Sequence, residues 1–179
     1  MKAELRKKIL QEMKTLSQEQ KQAMDQVLTE RFLQHPFYQE AKTIATYLSF
    51  PHEFQTQELI EQALKDGKKV LIPKTYPKGR MEFVVYHPQQ LAKTSFGLLE
   101  PQGDLEVVEP SQIDLIHVPG LALTTEGYRI GYGGGYYDRY LEHFAGYTMS
   151  TIYPCQVQEF NSENHDIPVQ EVLTYEGNL

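Results

Sequence analysis

Residues 129–139, Arg-Ile-Gly-Tyr-Gly-Gly-Gly-Tyr-Tyr-Asp-Arg, gather the residue types of an anion site into one short run. Gly131, Gly133, Gly134 and Gly135 leave the backbone almost bare and free to adopt positive φ, so successive N–H groups can converge on one centre. Arg129 and Arg139 bracket the run with cationic forks suited to phosphate. Asp138 has the opposite sign and would repel a phosphate unless a divalent cation sat between them. From Tyr136 to Phe144 there is neither Gly nor Pro, and Tyr136, Tyr140 and Phe144 fall on one helical face. The loop would therefore run into a helix N-terminus, where unpaired amides and the helix dipole favour an anion. A tight turn with tyrosines in the core is the alternative. The two arginines and the acid favour a metal–nucleotide site. The run lacks the Gly-Lys-Ser/Thr ending of the NTPase phosphate loop, and Tyr136 occupies the third glycine position of a dinucleotide fingerprint.

Such a site needs a scaffold. A chain of 179 residues reads as one domain over 1–179, long enough to bury a substantial core. With 40% hydrophobic and 23% charged residues it is expected to fold rather than remain disordered. The net charge of −7 disfavours nucleic acid and anionic membranes as partners, so an anionic ligand such as ATP must be drawn in by local Lys and Arg. Cys155 is alone and far in sequence from cationic residues, which fits a structural thiol in a reducing cytoplasm. No apolar run approaches a membrane span, and the N-terminus reads as a polar helix, not a signal peptide.

Leu5, Ile9, Met13 and Leu16 form one stripe of a helix over residues 2–14, with Lys2 and Arg6 at its edge. Those two cations suit either an anion site or a solvated basic face. Ser17 and Gln20 have capping-box spacing for a second helix to about Leu33, stopped at His35-Pro36. Residues 43–49 read as a buried strand, 56–65 as a helix, and 69–73 as an inner parallel strand. Strands are also expected over 81–86, 113–118, 147–153 and 171–173. Helices alternating with apolar strands predict an α/β domain with a largely parallel sheet. Glu53 lies where the first strand crosses to a helix, the usual place for a ligand loop in such sheets. It can equally be a surface acid. Phe54, Met81 and Phe96 are either core or walls for a flat heterocycle, and His117, inside an apolar strand, reads as packed and hydrogen-bonded rather than as a base.

Four segments together resemble the 5-formyltetrahydrofolate cyclo-ligase family, also called 5,10-methenyltetrahydrofolate synthetases. They are the run 129–139, the N-terminal Lys-x-x-x-Arg helix, the Leu-Ser-x-x-x-Glu segment at 48–53, and the Ser-aromatic-Gly-aliphatic-x-x-Pro run at 95–101. The resemblance implies a three-layer α/β/α fold of the kind shared with some sugar-phosphate isomerases and CoA transferases. It implies ATP and Mg2+ as requirements, with 5-formyltetrahydrofolate converted to 5,10-methenyltetrahydrofolate, ADP and phosphate. ATP would be held by Lys2, Arg6, Arg129 and the 131–138 segment: Gly131, Tyr132, Gly133, Gly134, Gly135, Tyr136, Tyr137 and Asp138. Leu48 and Glu53 would contact the folate, with Phe54, Met81 and Phe96 as walls and Tyr132, Gly133, Gly134, Gly135 and Tyr136 at its formyl end. Arg129, Tyr136 and Asp138 would be catalytic. Asp138 would hold Mg2+ with Asp166, whose other reading is a turn-forming loop acid. Two departures stand out: Gln55 where relatives carry an acid or Asn, and Leu123-Thr124 where they carry Phe-Asp. The expected form is a monomer acting on small molecules. Two other readings are a folate or nucleotide binder without turnover and a sugar-phosphate isomerase, the latter needing a general base that no residue obviously supplies.

Overall fold

In a computed structural model, which describes residues 2–93, 99–164 and 166–175, the N-terminal stripe forms α1 (Lys2–Thr15) and buries Ile9 and Met13. Ser17 then caps α2 (Gln18–Gln34): its hydroxyl accepts the Gln20 amide at 3.1 Å, and the Gln20 side chain accepts the Ser17 amide at 3.2 Å. A cap of this kind stabilises by about 1 kcal/mol. His35-Pro36 ends α2 as expected, yet it also opens a further short helix, α3 (Pro36–Glu40). There His35 Nδ1 accepts the Phe37 amide at 3.0 Å, and Pro36 takes the first-turn position where its missing N–H costs nothing. The chain continues through β1 (Thr43–Ala45), α4 (Gln57–Lys65), β2 (Lys69–Thr75), β3 (Met81–Val85), β4 (Leu91–Lys93), β5 (Leu99–Pro101) and β6 (Val107–Val108). It ends with β7 (Leu115–His117), β8 (Ala122–Leu123), β9 (Arg129–Ile130), α5 (Tyr136–Leu141), β10 (Tyr147–Ile152) and β11 (Glu171–Thr174).

The main sheet has the order β11-β10-β7-β1-β2-β3-β6. Pairing is parallel from β11 to β2 and antiparallel at β2–β3 and β3–β6. β2 is thus parallel on its β1 side only. Strand alternation separates the core into two layers. Ile44, Val70, Leu115 and Met149 face a cluster built with Ile9, Met13, Leu28 and Phe32 of α1 and α2 and Leu59, Ile60 and Ala63 of α4. Ala45, Leu71, Ile116 and Ile152 face a second cluster with Phe83 and Leu141, packed by Tyr136, Tyr137 and Tyr140 of α5. The result is a mixed, mostly parallel sheet between helices, an α/β fold.

Several elements are shorter than the sequence predicts, the strand expected over 113–118 among them, which spans only Leu115–His117. The strand expected over 43–49 stops at Ala45 because Thr56, at the start of α4, takes over the backbone beyond it. The Thr56 hydroxyl donates to Tyr47 O at 2.6 Å and its amide to Ser49 Oγ at 3.2 Å. The helix expected over 136–144 ends at Leu141, where tighter turns replace it: the His143 amide reaches Tyr140 O and the Phe144 amide reaches Leu141 O, each at 3.3 Å.

Candidate active site

The parallel strands set the location. From β1 the chain crosses through α4 to β2 on one side, whereas β7, β10 and β11 extend the sheet on the other. The loops leaving the C-terminal ends of β1 and β7 therefore diverge at a switch point, the general position for ligands in open α/β sheets. The first loop contains Glu53. The second leads, through the β8–β9 ribbon, into 131–135.

The glycine loop is held from outside rather than by itself. Arg6 of α1 donates from Nε to Gly131 O at 2.8 Å, and Arg139 of α5 donates from Nη1 to Gly134 O at 3.0 Å. Gly133 (φ 107°) and Gly135 (φ 71°) sit in the left-handed region, which a side chain would strain. Gly131 has a different reason to lack a side chain: a Cβ there would lie 2.6 Å from Arg129 Nη2. The loop closes a cavity of about 230 Å3 lined by Arg6, Arg129, the four glycines, Tyr132, Tyr136, Tyr137 and Asp138.

Arg129 is the buried cation of that cavity, its side chain only 7% exposed. Its Nε donates to Pro119 O at 2.9 Å, its Nη1 to Asp138 Oδ1 at 3.2 Å, and its guanidinium lies 5.5 Å from the centre of the Tyr137 ring. Burial penalises the arginine charge, and the Asp138 carboxylate, with Tyr137 and Asp166 adding to it, opposes that penalty. The Tyr137 hydroxyl is buried with no hydrogen-bond partner among the described residues, so it retains a donor for a ligand. At the rim, Lys2 Nζ meets Glu163 Oε1 at 3.3 Å, and the Glu163 amide donates to Asp166 Oδ2 at 2.7 Å. Arg6, Arg129 and Asp138 thus meet at one cavity, Asp166 acts electrostatically on Arg129, and Lys2 joins them through Glu163.

The 50–55 loop is built in the opposite way, tied by its own groups. Gln55 Nε2 donates to Phe50 O and to Glu53 O, both at 2.9 Å, so Gln55 serves as the internal brace of this turn. Glu53 is 5% exposed and its Oε1 accepts the Phe50 amide at 2.7 Å. Burial pushes its pKa up to about 7, against the lowering effect of hydrogen bonds from the Phe50 amide and the Tyr132 hydroxyl and of the more distant charge on Lys21. His52 Nε2 lies 2.9 Å from the same hydroxyl. A second groove of about 840 Å3 opens on the far side of His52, between this loop and the α1–α2 corner, lined in part by Lys14, Lys21 and Phe50.

Leu48 is half-buried beside the first core cluster. Phe54 is 2% exposed and meets the His117 ring edge-on at 5.6 Å, so it packs in the core instead of presenting a wall to a ligand. Met81, 7% exposed, packs in the cluster that also holds Tyr136. Phe96 lies outside the described residues. His117 is the packed, hydrogen-bonded residue expected: Nδ1 and Nε2 each lie 2.9 Å from a threonine hydroxyl, of Thr46 and Thr151. Thr124 closes the turn before β9 by accepting the Tyr128 amide at 3.1 Å, and burial raises the Cys155 thiol to about 11. His52 and the bracing role of Gln55 were not read from the sequence; the signal available was their adjacency to Glu53.

Fold and site together define an α/β domain in which a loop carrying a buried acid meets an arginine-held glycine loop. The chain belongs to the 5-formyltetrahydrofolate cyclo-ligase family, which it matches over residues 1–175. It is 37% identical over 174 residues to the 5-formyltetrahydrofolate cyclo-ligase of Escherichia coli strain K12, covering 93% of this chain and 96% of that one. The mouse (Mus musculus) enzyme of the same name is 32% identical over 184 residues, covering 94% and 91%. Among solved structures, the 5,10-methenyltetrahydrofolate synthetase of Aquifex aeolicus superposes with a TM-score of 0.84 at 32% identity, covering 97% of this chain and 89% of that one. The Mycoplasma pneumoniae synthetase superposes with a TM-score of 0.78 at 25% identity, covering 96% and 97%. Among the described residues no helix is long and apolar enough to cross a membrane.

Proposed function

We propose that this protein uses ATP and Mg2+ to close 5-formyltetrahydrofolate to 5,10-methenyltetrahydrofolate, releasing ADP and phosphate. The observation that carries this reading is that a buried carboxylate suited to pterin N–H donors, Glu53, interacts through Tyr132 with a glycine loop whose cavity is lined by Arg6 and Arg129. An N-formyl oxygen is a poor leaving group. Transfer of the γ-phosphoryl to that oxygen turns it into phosphate, N10 then attacks the formyl carbon, and the C–O bond breaks. The protein needs no nucleophile of its own, because alignment and charge neutralisation lower the barrier.

Lys2, Arg6 and Arg129 bind the phosphates, and the amides of Gly131, Gly133, Gly134 and Gly135 cradle them. Tyr137 offers its unpartnered hydroxyl, while Tyr132 and Tyr136 face the formyl end. Leu48 and Glu53 hold the folate ring. The donor set also fits Mg2+, which keeps several waters and needs only one or two carboxylates beside phosphate oxygens. Asp138 at the loop and Asp166 near Arg129 supply those two, and no cluster of three or more ligating side chains exists among the described residues. Bound there, the ion would neutralise phosphate charge and let Asp138 tolerate an anionic neighbour. The lone Cys155 fits a cytoplasmic enzyme.

The test is the near-ultraviolet absorbance of the methenyl product after mixing protein, MgATP and 5-formyltetrahydrofolate. Asp138→Ala should lower turnover by on the order of 10²-fold or more at temperatures where the variant remains folded, its melting temperature falling because buried Arg129 loses its carboxylate. Near-normal turnover in that variant would refute the metal assignment. No absorbance rise with the unaltered protein would refute the reaction.

A further inference from the structure

The glycine loop has three tethers, and only two of them are arginines holding carbonyls. The third runs through a side chain: the Tyr132 hydroxyl lies 2.9 Å from His52 Nε2, and the same hydroxyl hydrogen-bonds the Glu53 carboxylate. When the Glu53 carboxylate is ionised it can only accept, so Tyr132 then donates to Glu53 and accepts from a His52 ring protonated on Nε2. The His52 ring is fixed in turn by stacking on Phe50, with centroids 5.5 Å apart and planes 11° from parallel, and Phe50 also meets the Tyr132 ring at 5.7 Å. Phe50 belongs to the turn braced by Gln55, so His52 projects from a rigid base. Tyr132, by contrast, sits on the loop with few bonds of its own and is 44% exposed.

We propose that His52 is a positioning residue that fixes the glycine loop against the 50–55 loop through Tyr132, so that the two substrates are bound interdependently. This rests on the proposed function for the identity of the ligands, though the tether itself does not. Glu53 organises one ligand and the loop amides organise the other. Tyr132 is the side chain that touches Glu53 while belonging to the loop, and His52 holds its hydroxyl at that junction. His52 contacts neither reacting atom.

The decisive measurement is amide hydrogen exchange over 131–135 in the unliganded protein, followed by dissociation constants for a non-hydrolysable ATP analogue with Mg2+ and for 5-formyltetrahydrofolate. His52→Phe keeps the ring stack and removes the hydrogen bond. It should speed exchange in the glycine loop about tenfold, leave β7 and β10 protected, and weaken both ligands by about fivefold, the size of one lost hydrogen bond. Tyr132→Phe, which also removes the bond to Glu53, should cost at least as much, the double variant should be no worse than Tyr132→Phe alone, and His52→Gln, which retains an N–H donor, should restore tight binding. Additive losses, loss of only one ligand, or unchanged loop exchange would overturn the proposal. If the unaltered protein turns over no 5-formyltetrahydrofolate but the exchange response is present, the reaction is wrong and the tether stands. Normal turnover without that response rejects the tether alone.

Discussion

Glu53 and His117 are both buried, both titratable, and both at or just beyond the C-terminal ends of adjacent parallel strands, yet their surroundings assign them different work. His117 is 0% exposed and its two ring nitrogens are each paired with a threonine, one from each neighbouring strand segment. The rings of Phe32, Tyr47 and Phe54 surround it at 4.8, 4.9 and 5.6 Å, and burial lowers its pKa to about 3. Nothing remains for it to offer a ligand. Glu53 has the Phe50 amide and the Tyr132 hydroxyl, about half of what a carboxylate can accept, and burial raises its pKa to about 7. A buried polar group with every bond made pins the fold. One with acceptors to spare, beside the glycine loop, is the kind of group that the folate role proposed for Glu53 requires.

The largest effect that would break this contrast is on stability. His117→Ala removes a packed ring and leaves two buried threonine hydroxyls short of a partner, so it should cost about 4 kcal/mol at pH 7, read by denaturant unfolding. A cost near zero would mean that the threonines re-pair and that His117 is no anchor.

The pH dependence of stability sharpens the contrast, because the two shifts have opposite signs. His117 falls from 6.5 to about 3, so the unfolded chain binds the proton first; its contribution is complete above pH 6.5 and is lost as pH falls toward 3, about 5 kcal/mol in all. Glu53 rises from 4.5 to about 7, so the folded protein holds the extra proton; its contribution is complete below pH 4.5 and is lost as pH rises through 7, about 3 kcal/mol in all. Between pH 4.5 and 6.5 the two slopes nearly cancel. Glu53→Gln should therefore uncover a stability that climbs with pH across that window, and should make the unliganded protein more stable at pH 8 by up to about 3 kcal/mol. The same variant should bind 5-formyltetrahydrofolate more weakly while the ATP analogue is less affected. Equal losses of both ligands would count against a folate role for the acid. A smaller effect tests the frame around Glu53: Gln55→Ala removes the brace of the 50–55 turn and should cost about 1 kcal/mol, with folate binding weakened more than stability would suggest.

Much of this was legible in the sequence wherever the cause is local. Ser17 and Gln20 cap α2 as their spacing requires, and the apolar runs become strands because both sheet faces are covered by helices. Element ends were less legible, since Thr56 shortens the first strand from across the loop. The β4–β5 and β8–β9 pairs are too short to show a period. Within the site, the glycine loop and its cations could be read from residue type. Phe54 could not be placed, because an aromatic beside Glu53 can face a ligand or the core, and packing against His117 decided for the core.

By itself, the sequence determined the alternation of helices and strands, the bare backbone of 131–135, and the family, because each follows from residue type and spacing along the chain. The tertiary structure alone decided that Arg6 reaches Gly131, that Glu53 is buried, that His52 meets Tyr132, and that His117 is spent on two threonines. Those contacts join residues tens of positions apart, and burial, which shifts Glu53 and His117 in opposite directions, exists only once the sheet has brought its loops together.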